Sequence, residues 1–287
     1  MTPDRKAFNL LVETWPVSEA VKNAIKQTDR SLFVPHYRVR DHQESIYRNE
    51  IVPINNHSSM SQPLLVAVMT EYLQLEKGMR VLEVGTASGY QAALLAHIIG
   101  ENGSVTTVEY DRLLAREAQS RVNNLGYTNI TVYEGDGLVS IPGMKPFDRI
   151  ISTACAKSIP PAWKEQLSGG GILVSPIGFD PQDASLIRAI KNDSTGVMDQ
   201  DDKGKVNFFP LLSQEEGGFS HNDLRKLFRA KEALLGERAA MVALRPRDYI
   251  MICAMNEKVS YSDYVERVKI PKERWAEFIG ENESRGY

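Results

Sequence analysis

The sequence predicts an α/β fold built around a mostly parallel β-sheet. Between residues 79 and 178, short apolar runs alternate with helical patterns, as repeated β-α-β units do. Several of these runs end in a glycine or an acidic residue, where the edge of a parallel sheet meets its ligand. The chain has 287 residues, of which 42% are hydrophobic and 25% charged, so it can bury a sizeable core.

The N-terminal part is predicted to be helical. Apolar residues recur at helical spacing over residues 5–28, with a break at Pro16. A further helix is predicted from Pro63 to about Leu73, because proline is well placed in a first helical turn. Between them, the stretch NHSSMSQP (56–63) carries three serines and a histidine just before that helix.

The sheet region follows these helices. Strands are predicted at 79–85, 104–110, 129–137, 147–155 and 172–178, and helices at 88–100, 111–126 and 160–171, the last including a turn. Two more strands, SLIRAIKN and VNFFPLL, are joined by the polar turn DSTGVMDQDDKGK, which predicts an antiparallel edge. From about Ser213 to residue 287 the pattern changes to that of a small α+β module.

Composition excludes several classes of function. A net charge of −3 gives no strong field that would attract nucleic acid or an anionic membrane. Cys155 and Cys253 form no CxxC pair, and His36, His42 and His57 lack metal-ligand spacing, so no metal is predicted. No apolar run is long enough to span a membrane, and no signal peptide is recognised, so a cytoplasmic location is expected.

The stretch EVGTASGY (83–90) is the first candidate binding element. It follows a predicted strand and opens a helix, where a glycine turn lets the backbone approach a ligand. The strict dinucleotide pattern GxGxxG is absent, because Ala87 stands at the second glycine position.

Acidic residues end the next two strands. Glu109 is placed to accept both ribose hydroxyls, and Asp136 in GDG (135–137) can reach an adenine amino group. The alternative is that both are capping or loop carboxylates. S-adenosylmethionine has no phosphate and tolerates Ala87 better than NAD does, and Glu83 could lie near its cationic methionyl end. These features favour a methyltransferase over a nicotinamide oxidoreductase, for which a Tyr-x-x-x-Lys relay is also missing.

The motifs then become recognisable as a set. SQP, VLEVGTASGYQAALLA, VTTVEYD, EGDG, IPPAWKEQLSGGGILVSPIG and FFPLL occur in this order. Over about residues 8–212 the chain resembles the protein-L-isoaspartate O-methyltransferase family. The resemblance implies a Rossmann-like, S-adenosylmethionine-dependent methyltransferase domain over 1–212, with N-terminal helices in 1–75 and the cofactor-binding sheet in 76–212.

The resemblance also implies the site residues. Ser61 matches the hydroxyl residue beside the substrate carboxylate and Ser59 stands where the family commonly has Thr, so these two are the predicted catalytic residues. The predicted substrate contacts are His57, Ser58, Ser59 and Ser61. The predicted cofactor contacts are Glu83, Gly85, Thr86, Ala87, Gly89, Glu109, Tyr110, Asp136 and Gly137. Two alternatives stay open: Ser61 is only a helix N-cap, and His57 is only an exposed loop residue.

The sequence departs from the family at two places. It has NNHSSMS where the family usually has something like GQGQTIS. It also has residues 213–287, which the family's minimal members lack. Both features, with Ala162-Trp163, look like a subset with a C-terminal extension that modifies Asp in ribosomally made peptides such as lasso peptides, lanthipeptides and graspetides. The extension is therefore a candidate substrate-recognition module.

The predicted reaction is methyl esterification of an aspartyl-type or isoaspartyl carboxylate in a peptide or protein, followed by succinimide (aspartimide) formation. S-adenosylmethionine is the predicted cofactor and S-adenosylhomocysteine its product. The altered loop and the extension favour one dedicated ribosomal peptide as substrate. General protein-L-isoaspartate repair is the alternative, and a catalytically silent cofactor-binding module is a more distant one.

Overall fold

The computed structural model describes residues 2–35, 45–55, 58–144, 146–213 and 215–227. The chain divides into two compact units, residues 1–220 and 221–287. In the second unit residues 221–227 are helical. The strand and helices predicted further along the extension lie outside the described residues, as does His57. The first unit extends past Leu212, and the division of the chain into a methyltransferase domain and a recognition module stays a prediction.

The N-terminal helices form as predicted. They are α1 (Pro3–Glu13), α2 (Glu19–Gln27) and α3 (Pro63–Tyr72), and two 3₁₀ helices lie at Arg30–Phe33 and Ser45–Tyr47. Hydroxyl oxygens of Thr2 and Ser18 accept backbone N–H groups at the starts of α1 and α2. The predicted break at Pro16 therefore falls between two separately capped helices.

The serine-rich stretch forms part of a β-hairpin. Strands β1 (Val52–Asn55) and β2 (Ser58–Met60) pair antiparallel, with Pro53 opposite Ser59. The alternation of buried and half-buried residues along both strands shows that one face packs inward. The hairpin ends immediately before α3, so the chain carries the serines directly into that helix.

The main sheet has seven strands, and its predicted α/β class is confirmed. Its strands are β3 (Arg80–Val84), β4 (Ser104–Glu109), β5 (Ile130–Glu134), β6 (Phe147–Ser152), β7 (Leu167–Ile177), β8 (Ala184–Lys191) and β9 (Met198–Val206), and its helices are α4 (Tyr90–Ile99), α5 (Arg112–Asn124) and α6 (Pro161–Gln166). The strand order is β5-β4-β3-β6-β7-β8-β9. The first five strands in this order are parallel, and β8 and β9 add the predicted antiparallel edge.

The topology places a crevice at the ends of β3 and β6. The chain moves outward from β3 to β4 and β5, then returns to the other side of β3 as β6. The connections after β3 and β6 thus diverge, which is where open α/β sheets bind ligands. Beneath this edge the apolar side chains of the central strands form the core, including Leu82, Val84, Ile150 and Leu173.

Three predictions about the strands on this side of the sheet are wrong. The last strand is Met198–Val206, which except for Val206 lies within the stretch predicted as a turn, and the turn itself is confined to about residues 192–197. An edge strand whose faces are exposed to water needs no alternation of apolar residues. The polar sequence of β9 therefore gave no signal of a strand. The rest of VNFFPLL makes isolated bridges, Pro210 with Cys155 and Leu212 with Phe219, and Pro210 has no N–H to donate to a ladder. Strand β7 also begins earlier than predicted, at Leu167.

Candidate active site

The glycine loop after β3 is held between its two neighbouring strands. Gly85 N–H donates to the Val108 carbonyl on β4 at 2.9 Å, and the Thr153 hydroxyl after β6 donates to the Gly85 carbonyl at 2.6 Å. Gly85 has a φ of 95°, and a Cβ there would lie 2.5 Å from the Thr153 hydroxyl oxygen. Sequence reasoning missed Thr153, whose only signal is that it follows a strand beside the switch point.

Ala87 occupies a backbone conformation that usually belongs to glycine. Its φ is 48°, and its N–H donates to Glu109 Oε2 at 2.8 Å. Gly89, with a φ of 83°, then caps the start of α4. The loop therefore keeps the geometry of a glycine-rich turn, and a carboxylate at the tip of β4 stabilises its one strained non-glycine residue.

Glu83 is a carboxylate buried beneath the loop. It is fully inaccessible to solvent, and its Oε2 accepts a hydrogen bond of 2.6 Å from Thr107, whose hydroxyl also pairs with Thr86 at 2.6 Å. Its Oε1 has no hydrogen-bond partner among the described residues. Burial, and to a smaller extent the charge of Glu109, raise the pKa of Glu83 to about 8, against the lowering effect of Thr107.

Glu109 lies at the tip of β4, on the same edge. Its two oxygens accept N–H groups from Ala87 and Asp111, at 2.8 and 3.0 Å. Burial raises the pKa of Glu109, while these backbone donors oppose the shift. The N-cap of α5 is Asp111, so Glu109 clamps the glycine loop and is not the helix cap. Its remaining lone pairs can accept further donors.

Asp136 and Gly137 lie in the turn that follows β5. Asp136 Oδ1 accepts the Leu138 N–H at 2.9 Å within its own turn, and its Oδ2 accepts the Ser213 hydroxyl at 2.6 Å. The first bond fits the loop-carboxylate alternative, whereas the second comes from a distant segment. A Cβ on Gly137 would overlap Val84, so only glycine lets this turn pack onto β3.

Trp163 supports the same turn from below. Its indole is fully buried, and its Nε1–H donates to the Gly137 carbonyl at 2.8 Å. The Ala162-Trp163 pair resembles the subset that modifies peptides. In this structure Trp163 stabilises the turn that follows β5. Tyr110, a predicted cofactor contact, is 62% exposed, and its role stays a prediction.

The hairpin serines are placed just before α3. Ser58 is buried, and Ser59 and Ser61 are half-buried. The N-cap of α3 is Gln62, which makes no side-chain capping bond, and Asn49 Oδ1 accepts the Leu64 N–H at 3.0 Å. The alternative that Ser61 is only a helix cap is therefore wrong.

Arg30 connects the hairpin to the glycine-loop helix. Its side chain is buried and donates to the carbonyls of Ile46, Ser61 and Glu50, at 2.9, 3.2 and 3.5 Å. The guanidinium carbon also lies 5.1 Å from the ring centroid of Tyr90, the first residue of α4. Sequence reasoning missed Arg30, since each of its contacts is distant in the chain.

Two further findings concern the described residues only. Among residues 2–35, 45–55, 58–144, 146–213 and 215–227, no group of three His, Cys, Asp or Glu side chains could hold a metal ion. No helix in that part of the chain is long and apolar enough to cross a membrane.

The switch-point crevice, its glycine loop and its acidic strand tips define a Rossmann-like S-adenosylmethionine-dependent methyltransferase. The sequence profile of "Protein-L-isoaspartate(D-aspartate) O-methyltransferase (PCMT)" matches residues 8–216. The chain belongs to this family. The predicted fold class, enzyme class and cofactor are thereby confirmed; the peptide-modifying subset is not shown.

Two similar proteins each match about two thirds of this chain. A protein-L-isoaspartate O-methyltransferase of Methanococcoides burtonii is 38% identical over 196 residues, which is 68% of this chain and 93% of the relative. One from Anaeromyxobacter dehalogenans strain 2CP-1 is 41% identical over 191 residues, 67% of this chain and 88% of the relative.

Solved structures agree with the fold. A protein-L-isoaspartate O-methyltransferase superposes with a TM-score of 0.66 and 25% identity, covering 85% of this chain and 78% of that one. A Plasmodium falciparum protein described as a putative member, solved with S-adenosyl-L-homocysteine, gives 0.62 and 20%, covering 74% and 99%. The latter likeness concerns the fold alone.

Proposed function

We propose that this protein transfers a methyl group from S-adenosylmethionine to the isoaspartyl carboxylate of proteins and peptides. The observation that carries the proposal is the acidic cradle formed by Glu83 and Glu109 beside the glycine loop. The family membership and the two relatives, of which the chain covers 93% and 88%, agree with it.

The residues of the cradle fit a cationic adenosyl ligand. Glu83 Oε1 is buried without a partner among the described residues, so a ligand ammonium group would satisfy it. Glu109 can accept the ribose hydroxyls and Asp136 the adenine amino group, with Gly85, Thr86 and Gly89 forming the loop around them.

The chain's part in the reaction is to position the substrate. When bound, S-adenosylmethionine supplies an electrophilic methyl group on a sulfonium. A substrate carboxylate has a pKa near ~4 and is ionised at neutral pH, so no general base is needed. Alignment alone can supply roughly 7–11 kcal/mol of the barrier. Hydroxyls of Ser61 and Ser59, together with that of Ser58, would hold the carboxylate without adding charge.

The comparisons favour isoaspartyl repair over one dedicated peptide. The similar proteins carry the name protein-L-isoaspartate O-methyltransferase. A dedicated ribosomal peptide is the second candidate. The chain carries NNHSSMS at residues 55–61, unlike the usual family sequence, and it has the additional residues 213–287. In either case the methyl ester turns a poor leaving group into a good one, and the substrate's own backbone nitrogen closes the succinimide.

Transfer of a labelled methyl group to an isoaspartyl peptide tests the proposal. The product should be a base-labile ester. Ser61→Ala should slow single-turnover transfer while leaving S-adenosylhomocysteine affinity nearly unchanged. Ser104→Ala is a matched control, because this exposed serine begins β4 and so lies at the other end of the strand from Glu109. A wild-type rate in Ser61→Ala would remove Ser61 from the substrate site.

A further inference from the structure

We propose that Ser213 is a positioning residue of the cofactor site, which orients the Asp136 carboxylate toward the adenine amino group. The inference rests on the proposed function, because it requires an adenosyl ligand at the tip of β5. Ser213 lies beyond the region in which the sequence predicted cofactor contacts. Nevertheless, its hydroxyl donates to Asp136 Oδ2 at 2.6 Å across 77 positions of the chain, and the residue is only 6% exposed.

The hydrogen-bond directions leave Ser213 one way to donate. The Glu215 N–H donates to the Ser213 hydroxyl oxygen at 2.9 Å. An ionised carboxylate only accepts, so the hydroxyl hydrogen points to Asp136. Leu138 N–H fixes the other carboxylate oxygen at 2.9 Å. The carboxylate is thus held at both oxygens by donors from different parts of the chain, and lone pairs remain for a ligand.

The chain segments on either side of Ser213 hold it in this position. We call residues 209–213 and 215–219 the return segment. Its Leu211 N–H donates to the Cys155 carbonyl at 2.7 Å, and the Gly217 carbonyl accepts the Lys157 N–H at 2.7 Å. The return segment is therefore tied by its backbone to the loop that follows β6.

The return segment also pairs with itself. Ser213 N–H donates to the Phe219 carbonyl at 3.1 Å, and Phe219 N–H donates to the Leu211 carbonyl at 2.8 Å. A Cβ on Gly218 would lie 2.5 Å from Ser213 Cβ and 2.7 Å from a Leu138 methyl carbon. Glycine is needed there so that the segment can press Ser213 against the β5 turn.

A carboxylate fixed in this way loses little freedom when a ligand arrives. Without Ser213, Asp136 could turn toward water, and the adenine amino group would have to order it on binding. The contribution should therefore appear in the affinity of ligands that carry the amino group and be absent for ligands that lack it. A purely structural role would not distinguish between the two.

Calorimetry on the full chain tests this. The probes are S-adenosylhomocysteine and its 6-deamino analogue, in which hydrogen replaces the adenine amino group. Ser213→Ala should weaken S-adenosylhomocysteine binding roughly three- to tenfold and leave the analogue unchanged. Ser213→Thr keeps the hydroxyl and should restore affinity. Adding Ser213→Ala to Asp136→Ala should cause no further loss, because the two residues act as one unit.

A second variant covers the case in which Ser213→Ala does not fold. Gly218→Ala keeps the hydroxyl but displaces it, and should give the same selective loss. The inference is overturned if both variants leave the affinity ratio of the two ligands unchanged while Asp136→Ala lowers it. If Asp136→Ala itself leaves the ratio unchanged, the adenine contact is wrong and the inference falls with it, whereas labelled methyl transfer tests the proposed function separately.

Discussion

At the scale of single residues, the site depends on two carboxylates whose environments oppose their charge. Glu83 is fully buried with one oxygen unpartnered among the described residues, and Glu109 is partly buried against the glycine loop. Folding that leaves a buried polar atom unsatisfied costs stability, and such atoms cluster where a ligand completes the site. The sequence predicted both residues from their positions at strand ends.

Glu83 should make cofactor binding pH-dependent. Its pKa of about 8 means that the ligand-free protein keeps it protonated below that pH. A cationic ligand favours the carboxylate, so affinity should rise with pH up to about 8 and then level off. Calorimetry with S-adenosylhomocysteine at each pH measures this. Dividing the wild-type affinity by that of Glu83→Gln cancels the effect of the ligand's own ionisation.

The same shift has a defined sign for stability without ligand. The unfolded chain loses the Glu83 proton near pH 4.5 and the folded chain near 8, so folding stability falls as pH rises between these values. The melting temperature of Glu83→Gln relative to wild type should therefore increase over that window. A difference that is constant with pH would contradict the assigned shift.

Ala87→Gly should stabilise the protein. The φ of 48° costs an alanine roughly 1–2 kcal/mol, and the greater freedom of glycine in the unfolded chain offsets part of the gain. We expect a net increase of about 0.5–1 kcal/mol in unfolding free energy, measured by denaturant titration. Ala96→Gly in the interior of α4 is the control and should destabilise the protein by about 1 kcal/mol or more.

At the scale of elements, the sequence predicted the helices, strands and turns that short-range residue patterns determine. The helices and central strands follow from apolar spacing, and the turn after α5 from Gly126. Strand β9 was missed because an exposed edge strand carries no apolar period. Thr153, Arg30 and Ser213 were missed for another reason: each acts on a residue far away in the chain, which only the fold brings near.

Arg30 links the β1–β2 hairpin region to α4, and we expect its replacement to destabilise the protein. Lysine would keep the charge but not the planar fork that reaches three carbonyls. Arg30→Lys should lower the unfolding free energy by about 2–4 kcal/mol, because it leaves buried acceptors unsatisfied. Arg116→Lys, on the exposed face of α5, should change it by less than about 0.5 kcal/mol. Equal melting temperatures for the two variants would contradict the role of Arg30.

At the scale of the whole molecule, the first compact unit extends to Ser220 and includes the return segment. A chain ending at Ser220 should bind S-adenosylhomocysteine with the full-length affinity. A chain ending at Leu212 should bind it more weakly, since Asp136 loses its Ser213 partner. Calorimetry on both truncated proteins, each first checked for cooperative unfolding, measures this. Equal affinities would show that the return segment does not contribute to cofactor binding.

The proposed substrate of the whole molecule is an isoaspartyl carboxylate, which the site would esterify. The most direct measurement is kcat/KM for labelled methyl transfer to two synthetic peptides of the same sequence, one with isoaspartate and one with aspartate. We expect base-labile methylation of the isoaspartyl peptide and little or none of the aspartyl peptide, across several unrelated sequences. Transfer to neither peptide, or equal transfer to both, would contradict it.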